Sequence, residues 1–288
     1  MTMPATPPQA DQAPQEPQRD PEAPPGLYSS PIPVRTPGLG DAIASEWTKI
    51  RSVRSTMWTL GVMIVLLLGI GLLTAFVVSL SEAPLDDTPV LSLGFFGVLL
   101  GSICVITLGV LTIASEYSTG MIRTTLTACP SRSRILIAKA VVFFLLAFTI
   151  TTVTTGVVGV LQTAMLDGAT PGTGFWVRST VGVGFYVATL GLLSLAVGAI
   201  VRHSAGAITI MIAVVLLPLV LAIFMFSPTL AGVQQALFEY SIPNQIGSLY
   251  EASVTTSGPT GWEPLWIIVG VTAVAMAGAF ASLDRRDV

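Results

Sequence analysis

Charge is what this chain most lacks. Only 10% of its 288 residues are charged, while 52% are hydrophobic and the mean hydropathy is +0.79; a soluble domain carries about a quarter charged residues. An ordinary water-soluble fold is excluded, and the net charge of −3 says less than where the charges lie. Cysteine is equally scarce. Cys104 sits in an apolar run and Cys129 in a basic loop, so neither a disulfide framework nor a cysteine metal site is expected. The one histidine, His203, follows Arg202 at the tail of a hydrophobic run and reads as an interfacial residue rather than a metal ligand. The N-terminus lacks the basic start and hydrophobic core of a signal peptide. Instead, residues 1–38 hold 11 of the 20 prolines among Gln, Ala, Asp and Glu, the composition of a disordered, Pro-rich tail.

What is abundant comes in long runs. A helix needs roughly 20 apolar residues to cross the hydrocarbon core, and six stretches qualify: 58–80, 91–114, 140–164, 180–201, 205–226 and 264–283. None contains Asp, Glu, Lys or Arg. The expected fold is therefore all-α and integral to the membrane, with six transmembrane helices. Basic residues accumulate on the cytoplasmic side of a membrane protein. With both termini cytoplasmic, twelve Lys and Arg fall inside and only Arg178 outside. The tail then is cytoplasmic too.

Local signals add detail. Over 39–57, Leu39, Ile43, Trp47, Ile50 and Met57 share a helical face, which predicts an amphipathic helix in the cytoplasmic interface, held by Trp47 and by Lys49, Arg51 and Arg54 facing anionic lipid. Within the third run, Thr151, Thr152 and Thr155 either bond their own helix or form a weakly polar wall of a substrate path. Gly97 and Gly101 make a small-xxx-small pair, and Pro218 interrupts the fifth run. The cytoplasmic segment 115–131 mixes polar and apolar residues around Gly120, which is placed to end or bend a helix. The external segment 227–261 is too long for a plain connector. There Leu230, Val233, Leu237 and Tyr240 share a face, Ile242-Pro-Asn-Gln marks a break, and 246–252 predicts a further turn or two; this segment lies on the outer leaflet or dips into it.

Chemistry narrows the function. The runs offer no nucleophile, metal set or paired carboxylates for intramembrane catalysis, so the chain is not expected to be an enzyme. They also offer no ionisable group to couple a proton or sodium gradient, and no filter sequence for a channel. Any drive must come from a partner.

The order of these parts resembles a known family. Glu46-Trp-Thr-Lys-Ile-Arg51 lies in an interfacial helix, a first span follows, and a second span ends in Glu116-Tyr-Ser-Thr-Gly120-Met-Ile-Arg123-Thr-Thr-Leu. Four more spans and a long final external loop complete it. This resembles the permease subunit of type-2 ABC exporters (the ABC-2 family) over 39–288, with Met121 standing where the family usually has Thr. The resemblance implies two six-span permeases, identical or related, joined to two cytoplasmic ATPase subunits. It implies that Glu116, Tyr117, Gly120, Met121, Ile122 and Arg123 form the element that couples to the ATPase, and that 227–261 helps close an external gate. Because the chain has no Gly-x-x-x-x-Gly-Lys-Ser/Thr loop, no cofactor is expected on it; ATP and Mg would bind the partner. Other expected partners are membrane lipid and no nucleic acid. Eleven arginines against Lys49 and Lys139 suit a GC-rich bacterial genome, and thus a bacterial cell membrane. A non-transporting anchor or sensor that recruits a cytoplasmic protein is the alternative, and the substrate is not written in the residues.

Overall fold

A computed structural model describes residues 38–81, 89–121, 124–125, 131–166, 171–253, 255 and 257–285. The Pro-rich tail of residues 1–37, together with Ile122, Arg123 and Cys129, lies outside the described residues. Every regular element among the described residues is helical. In chain order these are α1 (Leu39–Ser52), α2 (Arg54–Ser81), a 3-10 turn (Val90–Gly94) leading into α3 (Phe95–Ser118), and α4 (Arg132–Met165). There follow α5 (Thr173–Val177), a π turn (Arg178–Gly182), α6 (Val183–Val201), α7 (Ser204–Phe224), α8 (Ala231–Glu239), α9 (Ile242–Leu249) and α10 (Glu263–Arg285).

Six helices are long and apolar enough to cross a membrane: Arg54–Ser81, Val90–Ser118, Ser133–Met165, Thr173–Val201, Ser204–Phe224 and Glu263–Leu283. They coincide with the six apolar runs, and the chain is a multi-pass membrane protein. Helices are the outcome because a backbone without water must satisfy its own N–H and C=O groups. Except at the C-terminal end of the fifth span, the helices match or outrun the apolar runs. α3 continues to Ser118 and α4 starts at Arg132, so Glu116 and Lys139, which bound the runs in the sequence, are helical residues.

The central helix is α6, which packs against α3, α4, α7 and α10. Small residues let it be surrounded. A Cβ on Gly109 of α3 would lie 2.3 Å from the Gly191 carbonyl oxygen, so α3 and α6 meet backbone to backbone there, and one on Gly191 would lie 2.4 Å from the Phe143 ring of α4, which fills the space a side chain would need. Gly97 and Gly101 do the same for α3 against Leu67 of α2. Large apolar residues such as Trp58, Phe76, Phe226, Trp266 and Val274 are exposed on the outside, as a lipid-facing surface requires.

Two predicted boundaries shift. The helix expected over 39–57 is two helices, parted by extended Val53 (φ −85°, ψ 111°), whose N–H still bonds the Lys49 carbonyl. α1 turns Glu46 and Ile50 inward, while Leu39 and Trp47 of the apolar stripe are exposed. The span expected to reach 226 ends at Phe224, where Met225 is extended and the Ala222 carbonyl accepts both the Met225 N–H and the side chain of Gln234 of α8.

The 227–261 segment is more ordered than its composition suggests. Ile242-Pro-Asn-Gln opens α9 rather than breaking the helix: Ser241 caps it by accepting the Asn244 N–H, and Pro243 occupies the first turn, where no backbone donor is needed. α9 is buried against α3, α6, α8 and α10. Three backbone carbonyls around it accept from side chains. Asn244 donates to the Glu239 carbonyl, Gln245 to that of Tyr240, and Arg178 to that of Leu249. Arg178 also pairs with Glu251.

Candidate functional site

The strongest concentration of chemistry lies where α1, α3 and α4 meet. Lys139 of α4 is 1% exposed, and its ammonium lies 2.7 Å from Glu46 Oε2 of α1 and 2.6 Å from Glu116 Oε1 of α3. Lys49, one turn beyond Glu46, reaches Glu46 Oε1 at 2.8 Å and Glu116 Oε1 at 2.9 Å. The four side chains thus close a ring, Glu46–Lys49–Glu116–Lys139, in which each charge touches two of the opposite sign. Both carboxylates are buried, at 4% and 5% exposure.

Local structure explains how the ring forms. Glu46 and Lys49 stand at i and i+3 on α1 and therefore share a face. Glu116 is delivered by the last turn of α3, just before Gly120 at φ +72° turns the chain away. Lys139 sits two turns into α4. Each buried ion loses solvation worth several kcal/mol, and only close opposite charges with hydrogen bonds offset such a loss. Alternation and a formal sum of zero supply that here. Burial works against the Lys49 ammonium, but hydrogen bonds and charge from Glu46 and Glu116 outweigh it and hold the group above the usual lysine value. One atom is left over: Glu116 Oε2 is buried with no hydrogen-bond partner.

Next to the ring lies a cavity of about 280 Å³. It is lined by the ring residues, by the α3 side chains Leu108, Leu111, Thr112 and Ser115, and by Val53, Ser55 and Thr56 at the α1–α2 break. A second contact ties down the same end of the bundle. Arg202, in the left-handed region (φ 58°) between α6 and α7, lays its guanidinium over the Tyr117 ring at 4.9 Å. His203 caps α7, its Nδ1 accepting the Gly206 N–H at 3.0 Å.

The residues singled out in the sequence fare differently. Glu116 is inside the ring, Tyr117 lies under Arg202, Gly120 ends α3 and Met121 is exposed. Helical geometry continues at Met121, Thr124 and Thr125. Lys49 belongs to the ring, whereas Trp47, Arg51 and Arg54 are exposed. Thr151 and Thr152 are packed against other helices with hydroxyls lacking partners, Thr152 pressing on Gly184 of α6. Thr155 donates to the Thr151 carbonyl and borders a void of about 10 Å³ that it shares with Gln162 and Tyr250. The sequence reading missed Glu46 and Lys139 as site residues, and Glu46 and Glu116 are both buried although neither lies in an apolar run. The i, i+3 pairing of Glu46 with Lys49 was the available signal; Lys139 offered none, being one basic residue among several before a span.

No protein-family model matches this chain, and no curated protein matches it significantly. The three His, Cys, Asp or Glu side chains that a metal ion would need are nowhere grouped among the described residues.

Proposed function

We propose that the chain is the membrane-spanning permease subunit of an ATP-driven exporter of the ABC-2 kind, forming the path together with a second permease and coupling to a separate cytoplasmic ATPase that holds ATP and Mg. The observation that carries this reading is the charge ring. It joins the root of segment 115–131 to both α1 and α4, so a push on that segment reaches three helices at once instead of bending one.

In this reading the α1 end faces the cytoplasm, with both termini there, since Lys49, Arg51, Arg54, Lys139, Arg202 and Arg285 gather at it and Arg178 alone belongs to the opposite end. The membrane is a bacterial cell membrane. Closure of the ATPase pair displaces segment 115–131, the stiff unit of α1, α3 and α4 moves with it, and the two bundles rock between inward and outward arrangements. α9, held by Arg178, Gln245 and Asn244, closes the external end.

Purification in mild detergent tests the reading. A partner bearing a phosphate-loop sequence, recovered in stoichiometric amount, supports it; a kinase, a protease or no partner would favour the non-transporting anchor. Glu116→Ala is a poor test of coupling because the residue is buried in the ring, so loss of function would not be separable from loss of fold. Exposed Met121 is the better probe.

A further inference from the structure

We infer that the 280 Å³ cavity beside the charge ring binds the head group of an aminophospholipid, a zwitterion with a primary ammonium and a phosphodiester, drawn from the surrounding leaflet. Direction of hydrogen bonding carries the inference. On the α3 wall, Thr112 and Ser115 donate their hydroxyl protons to the Leu108 and Leu111 carbonyls of their own helix, which leaves oxygen lone pairs toward the cavity. Thr119, at the rim, donates to the Ser115 carbonyl in the same way. Glu116 also lines the cavity, its buried carboxylate held at Oε1 by Lys49 and Lys139. The last turn of α3 adds the negative end of its helix dipole. This wall accepts hydrogen bonds and offers almost none, which suits an ammonium carrying N–H groups.

The lining at the α1–α2 break has the reverse character. Two protons of the Lys49 ammonium are committed to Glu46 and Glu116, and a third remains on a side chain that is 27% exposed. Just past the Val53 break, Ser55 and Thr56 begin α2 and line the cavity, where first-turn N–H groups have no helical partner. A phosphodiester oxygen fits there. Because the ring itself sums to zero, net charge would draw neither a simple anion nor a simple cation, and a zwitterion matches both walls.

Size and position select a lipid. At about 30 Å³ per water, 280 Å³ equals about nine waters, room for a head group and not for acyl chains. Val53 and Met121 line the cavity yet are 45% and 47% exposed, so apolar side chains rim its mouth where the chains would leave. Exposed Trp47 and Trp58 lie at the same end, as interfacial aromatic residues do.

The test is native mass spectrometry on the full chain in mild detergent, offered equimolar phosphatidylethanolamine, phosphatidylcholine and phosphatidylglycerol with identical acyl chains. Phosphatidylcholine has no ammonium proton to donate and phosphatidylglycerol has no ammonium. The expected result is a preference of about tenfold for phosphatidylethanolamine, the yield of one or two hydrogen bonds, abolished by filling the cavity in Thr112→Phe. Should Thr112→Phe elute as aggregate, Ser115→Ala, which removes one acceptor, is expected to lower the preference several-fold. Equal retention of the three lipids, or unchanged preference in a variant that elutes as the parent does, overturns the inference. Competition by free phosphoethanolamine at the same concentration would overturn the membrane source. None of these outcomes requires an ATPase, so they stand apart from the permease reading.

Discussion

Replacing Lys139 by Met removes one cation from the ring and keeps the volume of the side chain nearly constant. Glu46 Oε2 then loses its ammonium partner, and Glu116 Oε1 keeps only Lys49. Breaking a buried ion pair by deleting one partner costs about 3–5 kcal/mol. The lower end applies here, because Lys49 still touches both carboxylates and relieves part of their repulsion. A loss of about 3 kcal/mol corresponds to a drop of roughly 6–12 °C in melting temperature by the scaling of soluble domains of 150–250 residues. Melting in detergent, followed by fluorescence-detected size exclusion, measures it. Lys139→Met combined with Glu116→Gln completes a double-mutant cycle, in which contacting residues couple by about 0.5–3 kcal/mol. A Lys139→Met protein that melts within a degree of the parent, or a cycle that closes at zero, would refute the ring as a cohesive unit.

The close approach of α3 to α6 makes Gly109→Ala costly by about 1–3 kcal/mol, since a Cβ there meets a backbone carbonyl that cannot turn aside. Gly156→Ala, with nothing within 4 Å, is expected to be neutral or stabilising by up to about 1 kcal/mol on helix propensity; melting curves compare the pair. The Lys49 ammonium is held above its ordinary value of 10.5, so its contribution is complete below that pH and is lost only as pH rises beyond it. A melting temperature insensitive to Lys49→Met at pH 8 yet sensitive at pH 11 would reverse that sign. At the opposite end, Ser257 and then Gln235 hydrogen-bond the exposed Glu239 carboxylate and hold it below 4.5. That contribution is present above pH 4.5 and fades below it, so protection factors in 257–261, corrected for the intrinsic pH dependence of amide exchange, should fall on acidification in the parent but stay constant in Glu239→Gln.

The six spans were legible because the hydrocarbon thickness sets a length that apolar runs must meet, and nothing local competes with it. Gly120 was legible as a helix end for a similarly local reason, its freedom at positive φ. The ring was not, because the same charges that mark where an apolar run stops were taken to mark where the helix stops. Glu116 and Lys139 lie a turn or less from their runs, on helices that continue, and the contacts joining Glu46 to Lys139 span 93 positions of sequence. Their meeting is a property of how α1, α3 and α4 pack. α9 was obscured for another reason: Pro243 reads as a breaker until Ser241 is recognised as a cap, after which proline in the first turn favours the helix. The threonine wall of α4 shows the limit of composition, since the same residues serve packing and passage equally well.

A photo-crosslinking amino acid at Met121, with the same group at Val233 on the opposite end as control, tests the central claim most directly. Both positions are exposed, so neither substitution disturbs the bundle. In native membranes, Met121 should crosslink to a protein that peptide sequencing shows to carry a phosphate loop, and Val233 should not. Capture of no such ATPase at Met121, or its capture at Val233, would contradict the account.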